Sequence, residues 1–139
     1  MSIASRQKEV IEEFSFFEDW MEKYEYLIGL GKELPLIAED KKVEENLIKG
    51  CQSRVWLDAE LNDGKIKYTA DSDAIITKGL ISLMVRVLSN SSPEEIATTD
   101  LFFIDEIGLK EHLSPTRSNG LLSMVKQMKI YALALQAKQ

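Results

Sequence analysis

The chain has 139 residues, one domain's worth, with 17 Lys and Arg against 23 Asp and Glu and a formal charge of −6. That balance argues against nucleic acid and against an anionic membrane surface, which both select clustered cations, and leaves proteins or small molecules as expected partners. One cysteine and one histidine exclude an internal disulfide and a self-contained zinc site of the Cys and His type, so no bound metal is expected.

In chain order, Val10, Ile11, Phe14, Phe17, Met21, Tyr24, Leu27 and Ile28 recur at helical spacing, with Glu9, Glu12, Glu13, Asp19, Glu22 and Glu25 opposite them. Ser15-Phe16-Phe17-Glu18 reads as a capping box. It predicts a short helix ending near Phe14 and a longer one over residues 16–28, stopped by Gly29 and Gly31. Residues 32–50 carry Leu34-Pro35-Leu36 and read as a loop with one turn of helix.

From Ser53 the pattern changes to period two: Val55, Leu57, Ala59 and Leu61 share a face, Asn62-Asp63-Gly64 is turn chemistry, and Ile66, Tyr68 and Ala70 alternate again. A β-hairpin over residues 53–71 follows. Asp71-Ser72-Asp73 offers caps to a helix reaching about Ser89, whose Ile76, Leu80, Leu83 and Val87 face the core. Ser92-Pro93-Glu94-Glu95 starts a brief helix, and Ser114-Pro115 a long one carrying Leu121, Met124, Val125, Met128, Tyr131, Ala132 and Leu135. An isolated hairpin is marginal, so a third strand is expected from residues 101–107 or 36–38. The class is α+β, a small curved antiparallel sheet packed against helices. No repeat or linker interrupts it, and one domain over residues 1–139 is expected. Residues 1–9 lack the basic then apolar order of a secretory leader, which gives a cytoplasmic location as the expectation.

The chemically suggestive element is Gly50-Cys51-Gln52-Ser53, a lone thiol between a glycine and two small polar residues at a loop tip. A free cysteine is ordinarily a buried structural side chain. Functional use requires the thiolate, whose formation a nearby cation favours; Lys49, Arg54 and Arg117 are the candidates. Arg117 falls in the first turn of the last helix, where the dipole disfavours a cation, and so invites another purpose, as an ion pair or as a partner of the Cys51 loop. Asp71, Ser72 and Asp73 are most simply helix caps, with the alternative that they tie down that loop. Gly79 and Gly120 lie inside helices at a cost of about 1 kcal/mol each against alanine, which suggests close backbone approach there. His112 reads as a surface residue.

Gly50-Cys51-Gln52-Ser53-Arg54-Val55-Trp56-Leu57 resembles the active-site signature of the SufE family. Ala70-Asp71-Ser72-Asp73-Ala74 with Lys78-Gly79-Leu80 resembles that family's second motif, and the run from Leu113-Ser114-Pro115-Thr116-Arg117 through Ser118-Asn119-Gly120-Leu121 its third. The resemblance implies a SufE/IscU-like fold and a sulfur acceptor of iron–sulfur cluster assembly. By it, Cys51 is the persulfide acceptor that takes sulfur from a SufS-type cysteine desulfurase, raises that enzyme's turnover and delivers to a SufBCD scaffold. Gln52, Ser53, Arg117, Asp71 and Ser72 are its supporting residues. The family keeps this cysteine tucked against an apolar pocket, to which Val55, Trp56 and Leu57 are near enough in sequence to contribute. No cofactor is expected on this chain, pyridoxal phosphate belonging to the desulfurase, and the expected state is a monomer or weak homodimer. Two rival readings stand beside it: a non-catalytic protein-binding module, and a cysteine hydrolase pairing Cys51 with His112 as base.

Overall fold

In a computed structural model, which describes residues 2–138, the N-terminal amphipathic stretch forms two helices. Helix α1 (Ile3–Ser15) is capped by Ser2, whose hydroxyl accepts from the Ser5 amide at 3.1 Å, and buries Ile3, Gln7, Val10 and Phe14 at helical spacing. Helix α2 (Trp20–Gly31) is capped by Asp19, which accepts from the Glu22 amide at 2.9 Å. The predicted box at Ser15 is therefore wrong: the Ser15 hydroxyl donates back to the Glu12 carbonyl, inside α1, and the chain breaks four residues later. The stop is also later than expected, since Gly29 lies within α2 and Gly31 ends it. Met21, on the periodic apolar stripe, is left exposed.

Residues 32–50 contain two short 3₁₀ turns, Glu39–Lys41 and Glu44–Asn46. Strands β1 (Val55–Asn62) and β2 (Lys65–Ser72) pair antiparallel from Asn62↔Lys65 to Val55↔Ser72. The two-residue turn between them has positive φ at both Asp63 (52°) and Gly64 (77°), the geometry that matches the twist of the flanking strands.

The expected third strand is not formed among the described residues; the sheet has two strands. Residues 101–107 instead coil into a short helix, α5 (Phe103–Glu106). The segment at Leu36 makes one parallel bridge to Ala70, with Ile37 donating to Ala70 and Ala70 to Pro35, both at 3.1 Å. Ile48 donates to Val55 and Ile66 to Ser91, both at 2.8 Å. The hairpin is stabilised by what its inner face buries: Val55, Leu57, Ile66, Tyr68 and Ala70 are sealed from solvent, and the Tyr68 hydroxyl donates to the Met128 carbonyl at 2.6 Å.

Helix α3 (Ile75–Leu88) runs through the centre of the molecule and is buried almost all round, from Leu80 to Val85 and again at Val87 and Leu88, rather than along one stripe. Its N-cap is Ala74, with no side-chain cap. The capping reading of Asp71-Ser72-Asp73 is overturned, because Asp71 and Ser72 finish β2 and Asp73 bonds elsewhere. Helix α4 (Pro93–Thr98) has the predicted reciprocal box between Ser92 and Glu95. After α5, Gly108 (φ 73°) opens α6 (Leu109–His112), and α7 (Pro115–Ala137) starts at Ser114, whose hydroxyl accepts from the Arg117 amide at 3.2 Å. Helix α7 packs on α3, α4 and β1. Among the described residues no helix is long and apolar enough to cross a membrane. The class is α+β, helices before and after one hairpin.

Candidate functional site around Cys51

The loop before β1 is pressed onto α7. Gly50 has φ 93°, and a Cβ there would fall far inside contact distance of the Ser123 hydroxyl, so glycine is what lets the backbone lie this close. The next residue, Cys51, is half-buried. Its Sγ donates toward the carbonyl oxygen of Gly120, 3.5 Å away in the second turn of α7. The expected close approach is not tight at Gly120, where an added Cβ would meet Sγ at 3.5 Å, an ordinary contact. At Gly79 it is met against α2, where a Cβ would overlap the Leu27 carbonyl.

Cys51 opens on a cavity of about 360 Å³ between α3 and the N-terminal half of α7. Leu80 and Met124 give it an apolar floor, while Gln52, Ser53, Thr77 and Arg117 bring polar groups to its walls. Burial pushes the Cys51 thiol above its ordinary value, and no cation counteracts it. None of the candidate cations Lys49, Arg54 and Arg117 lowers it, and burial disfavours the thiolate in this form. Arg117 lines the cavity, but its guanidinium makes no ion pair among the described residues.

Gln52 and Ser53 line the cavity without bonding the sulfur. Asp71 and Ser72 do not reach it. Asp71 is only slightly accessible, and that burial opposes its charge. The Lys42 ammonium at 2.7 Å, the Ser72 amide at 2.8 Å and the Lys78 ammonium at 3.2 Å outweigh it and hold the carboxyl below its usual range. Asp71 therefore ties the 3₁₀ segment to β2 and α3. The cysteine loop is fastened by Asp73, whose Oδ1 accepts from the Arg54 amide at 3.1 Å while its own amide donates to the Arg54 carbonyl at 3.3 Å. Val55 and Leu57 belong to the core, and Trp56 sits on the opposite face of β1 under the Lys42 ammonium, 5.5 Å from its ring; none of the three lines the cavity. The pocket is built instead by α3 and α7, distant in sequence. Of its other members, Ala74, Leu80 and Thr116 lie within the motif segments, Met124 belongs to the apolar stripe of α7, and Thr77 carried no sequence signal.

His112 is remote from this chemistry: it does not line the cavity, its Nδ1 lies 3.0 Å from the Gly108 carbonyl, and its ring stacks on Trp20 with centroids 4.1 Å apart. Among the described residues no cluster of three His, Cys, Asp or Glu side chains is placed to hold a metal.

Fold and site together define a small α+β protein that carries one half-buried thiol at a glycine-supported loop, over a cavity closed by two helices. Residues 8–132 match the SufE family model, described as an Fe-S metabolism associated domain. A SufE-like protein of Rhizobium etli is 42% identical over 126 residues, 87% of this chain and 85% of that protein. A second, of Synechocystis, is 38% identical over 130 residues, 94% and 82% of the two chains. The chain belongs to the SufE family, and its domain is one of iron–sulfur metabolism. The solution structure of a hypothetical protein from Thermus thermophilus superposes with a TM-score of 0.79 over 95% of this chain and 96% of that one, at 20% identity, and supports the same fold.

Proposed function

We propose that this protein is a sulfur acceptor of iron–sulfur cluster assembly, in which Cys51 takes the outer sulfur of a persulfide on a SufS-type cysteine desulfurase and passes it to a SufBCD scaffold. The observation that carries this reading is the placement of the chain's one thiol, half-buried at a loop tip, against a cavity with room for an added sulfur. In the step itself the Cys51 thiolate attacks the outer, sulfane sulfur of the donor persulfide. The donor's S–S bond breaks, the donor cysteine leaves with the electron pair as thiolate, and Cys51 becomes the persulfide; no external oxidant or reductant is consumed. Onward delivery repeats the exchange with Cys51 as leaving group. Removal of the donor's persulfide accelerates the desulfurase.

Burial disfavours the thiolate of the unloaded protein, so reaction requires the Cys51 loop to leave α7 when the partner docks. The fastening to Asp73 sets how readily it does so, and Gln52, Ser53 and Arg117 are the groups beside the sulfur that assist. A chain with one thiol has no internal cysteine to resolve the persulfide and release sulfide. The protein works as a monomer or weak homodimer in the cytoplasm and carries no cofactor of its own, pyridoxal phosphate residing in the desulfurase. The test is to incubate it with a desulfurase and cysteine and weigh it intact without reductant. A species one sulfur atom heavier, mapped to Cys51 and missing from Cys51→Ser, is expected; the same gain in both proteins overturns the assignment. Cys51→Ser that still stimulates the desulfurase would mark a mere adaptor.

A further inference from the structure

The cavity beside Cys51 contains one polar group that the family resemblance did not single out. Thr77, in the first turn of α3, is 8% exposed, and its side chain has no hydrogen-bond partner among the described residues, not even the carbonyl four residues back that Thr98 uses in α4. A buried hydroxyl without a partner is costly unless something can reach it. Among the described residues no sealed side-chain oxygen or nitrogen is left unbonded, so the Thr77 hydroxyl is not sealed, and Thr77 lines the cavity together with Cys51. The other hydroxyls there differ, since Ser114 and Thr116 are exposed and Ser53 is half-buried, all within reach of bulk water.

We propose that the Thr77 hydroxyl donates a hydrogen bond to the sulfur loaded onto Cys51 and holds it in the cavity. The inference rests on the sulfur-acceptor reading for its biology, but its chemistry needs only a persulfide at Cys51. The resting Sγ points at a carbonyl, which accepts from a neutral thiol and repels an anion. An added sulfur extends the side chain by an S–S bond of about 2 Å and ends in a group more acidic than a thiol. That outer sulfur then needs a donor, and Thr77 is the buried, unengaged one. Donation to it favours the anionic persulfide. The anion is a poor target for attack by small thiolates, which guards the outer sulfur until Cys51 leaves the cavity for delivery.

The test loads Cys51 with inorganic polysulfide, which needs no partner: the Cys51 thiolate attacks a sulfane sulfur and the shortened polysulfide leaves with the electron pair. After desalting, reduced glutathione is added and the loss of one sulfur atom is followed by intact mass; glutathione takes the outer sulfur and Cys51 leaves as thiolate. Thr77→Val, nearly isosteric, is expected to lose its sulfur about threefold faster or more than wild type, the factor corresponding to one net hydrogen bond, with Thr77→Ala as a second variant of the same sign. Thr77→Ser retains the hydroxyl and stays within about twofold of wild type. The pH midpoint for alkylation of the loaded sulfur should also rise in Thr77→Val, which a packing role would not cause. Equal half-lives for wild type and Thr77→Val, or a Ser variant as fast as the Val variant, would overturn the proposal. Failure of a desulfurase to load wild type would instead sink the sulfur-acceptor reading and leave this result standing.

Discussion

The Sγ of Cys51 lies 3.5 Å from the carbonyl oxygen of Gly120, a residue 69 positions further along the chain. This one contact places the thiol on the last helix, half-buried. A Cβ at Gly120 would touch Sγ at 3.5 Å, an ordinary contact for the unloaded thiol but one that narrows the path of an added sulfur. Gly120→Ala should fold, with up to about 1 kcal/mol of added helix stability, and should accept sulfur severalfold more slowly, read as the rate of mass gain with a desulfurase and cysteine.

Burial raises the Cys51 thiol, so the folded chain retains its proton at pH values where the unfolded chain has released it. Stability attributable to Cys51 is therefore fully present below the ordinary thiol range and declines as pH rises through it. Denaturation of wild type and Cys51→Ser across that range should show wild type losing ground toward alkaline pH. The rate of alkylation of the native thiol should reach half its maximum at a higher pH than that of the unfolded chain.

Asp73 fastens the segment after Cys51 through the Arg54 amide. Asp73→Ala removes one largely exposed hydrogen bond, worth about 1 kcal/mol, and frees the loop. A modest fall in melting temperature is expected together with faster alkylation of Cys51 at neutral pH. A slower or unchanged alkylation rate would show that the loop is held by other contacts.

Asp71 has its carboxyl lowered by Lys42, the Ser72 amide and Lys78, against its own burial. A lowered native value means the stabilisation is present above the usual carboxylate range and is lost as pH falls through the native one. Asp71→Asn should cost about 1 kcal/mol near neutral pH, with the gap closing in acid. Because Asp71 does not reach the cavity, alkylation of Cys51 should be unchanged.

Gly79 lets α3 approach the backbone of α2 at Leu27. Gly79→Ala gains helix propensity but forces the two helices apart against a main-chain oxygen that cannot move aside. The net loss should be about 2 kcal/mol, in the range of core overpacking, measured by chemical denaturation.

Local chemistry was legible where neighbours in sequence decide it. The alternation of Val55, Leu57, Ile66 and Tyr68 with Asp63-Gly64 between them fixes the hairpin, and Ser92 and Ser114 cap the helices they precede, because each feature is closed within a few residues. Local matching also misled: Ser15-Phe16-Phe17-Glu18 fits a capping box, yet the helix that follows is capped by Asp19, four residues on. The segment 101–107 is expected as a strand, but Phe103–Glu106 packs against α1 as a helix, which its short apolar run could not distinguish from a strand.

The lone thiol, its flanking Gly50 and the close approach at Gly79 were determined by the amino-acid sequence itself, as residue types whose conformational or chemical needs are intrinsic. What surrounds that thiol was decided only in three dimensions. A cavity is made where α3 and α7 meet, so Thr77, Leu80 and Met124 enter it while the neighbouring Trp56 turns to the other face of the strand. The ionisation of Cys51 follows the same rule: its sequence neighbours include cations, yet burial against Gly120 and the core governs, because desolvation acts through everything packed around the sulfur and not through the chain on either side of it.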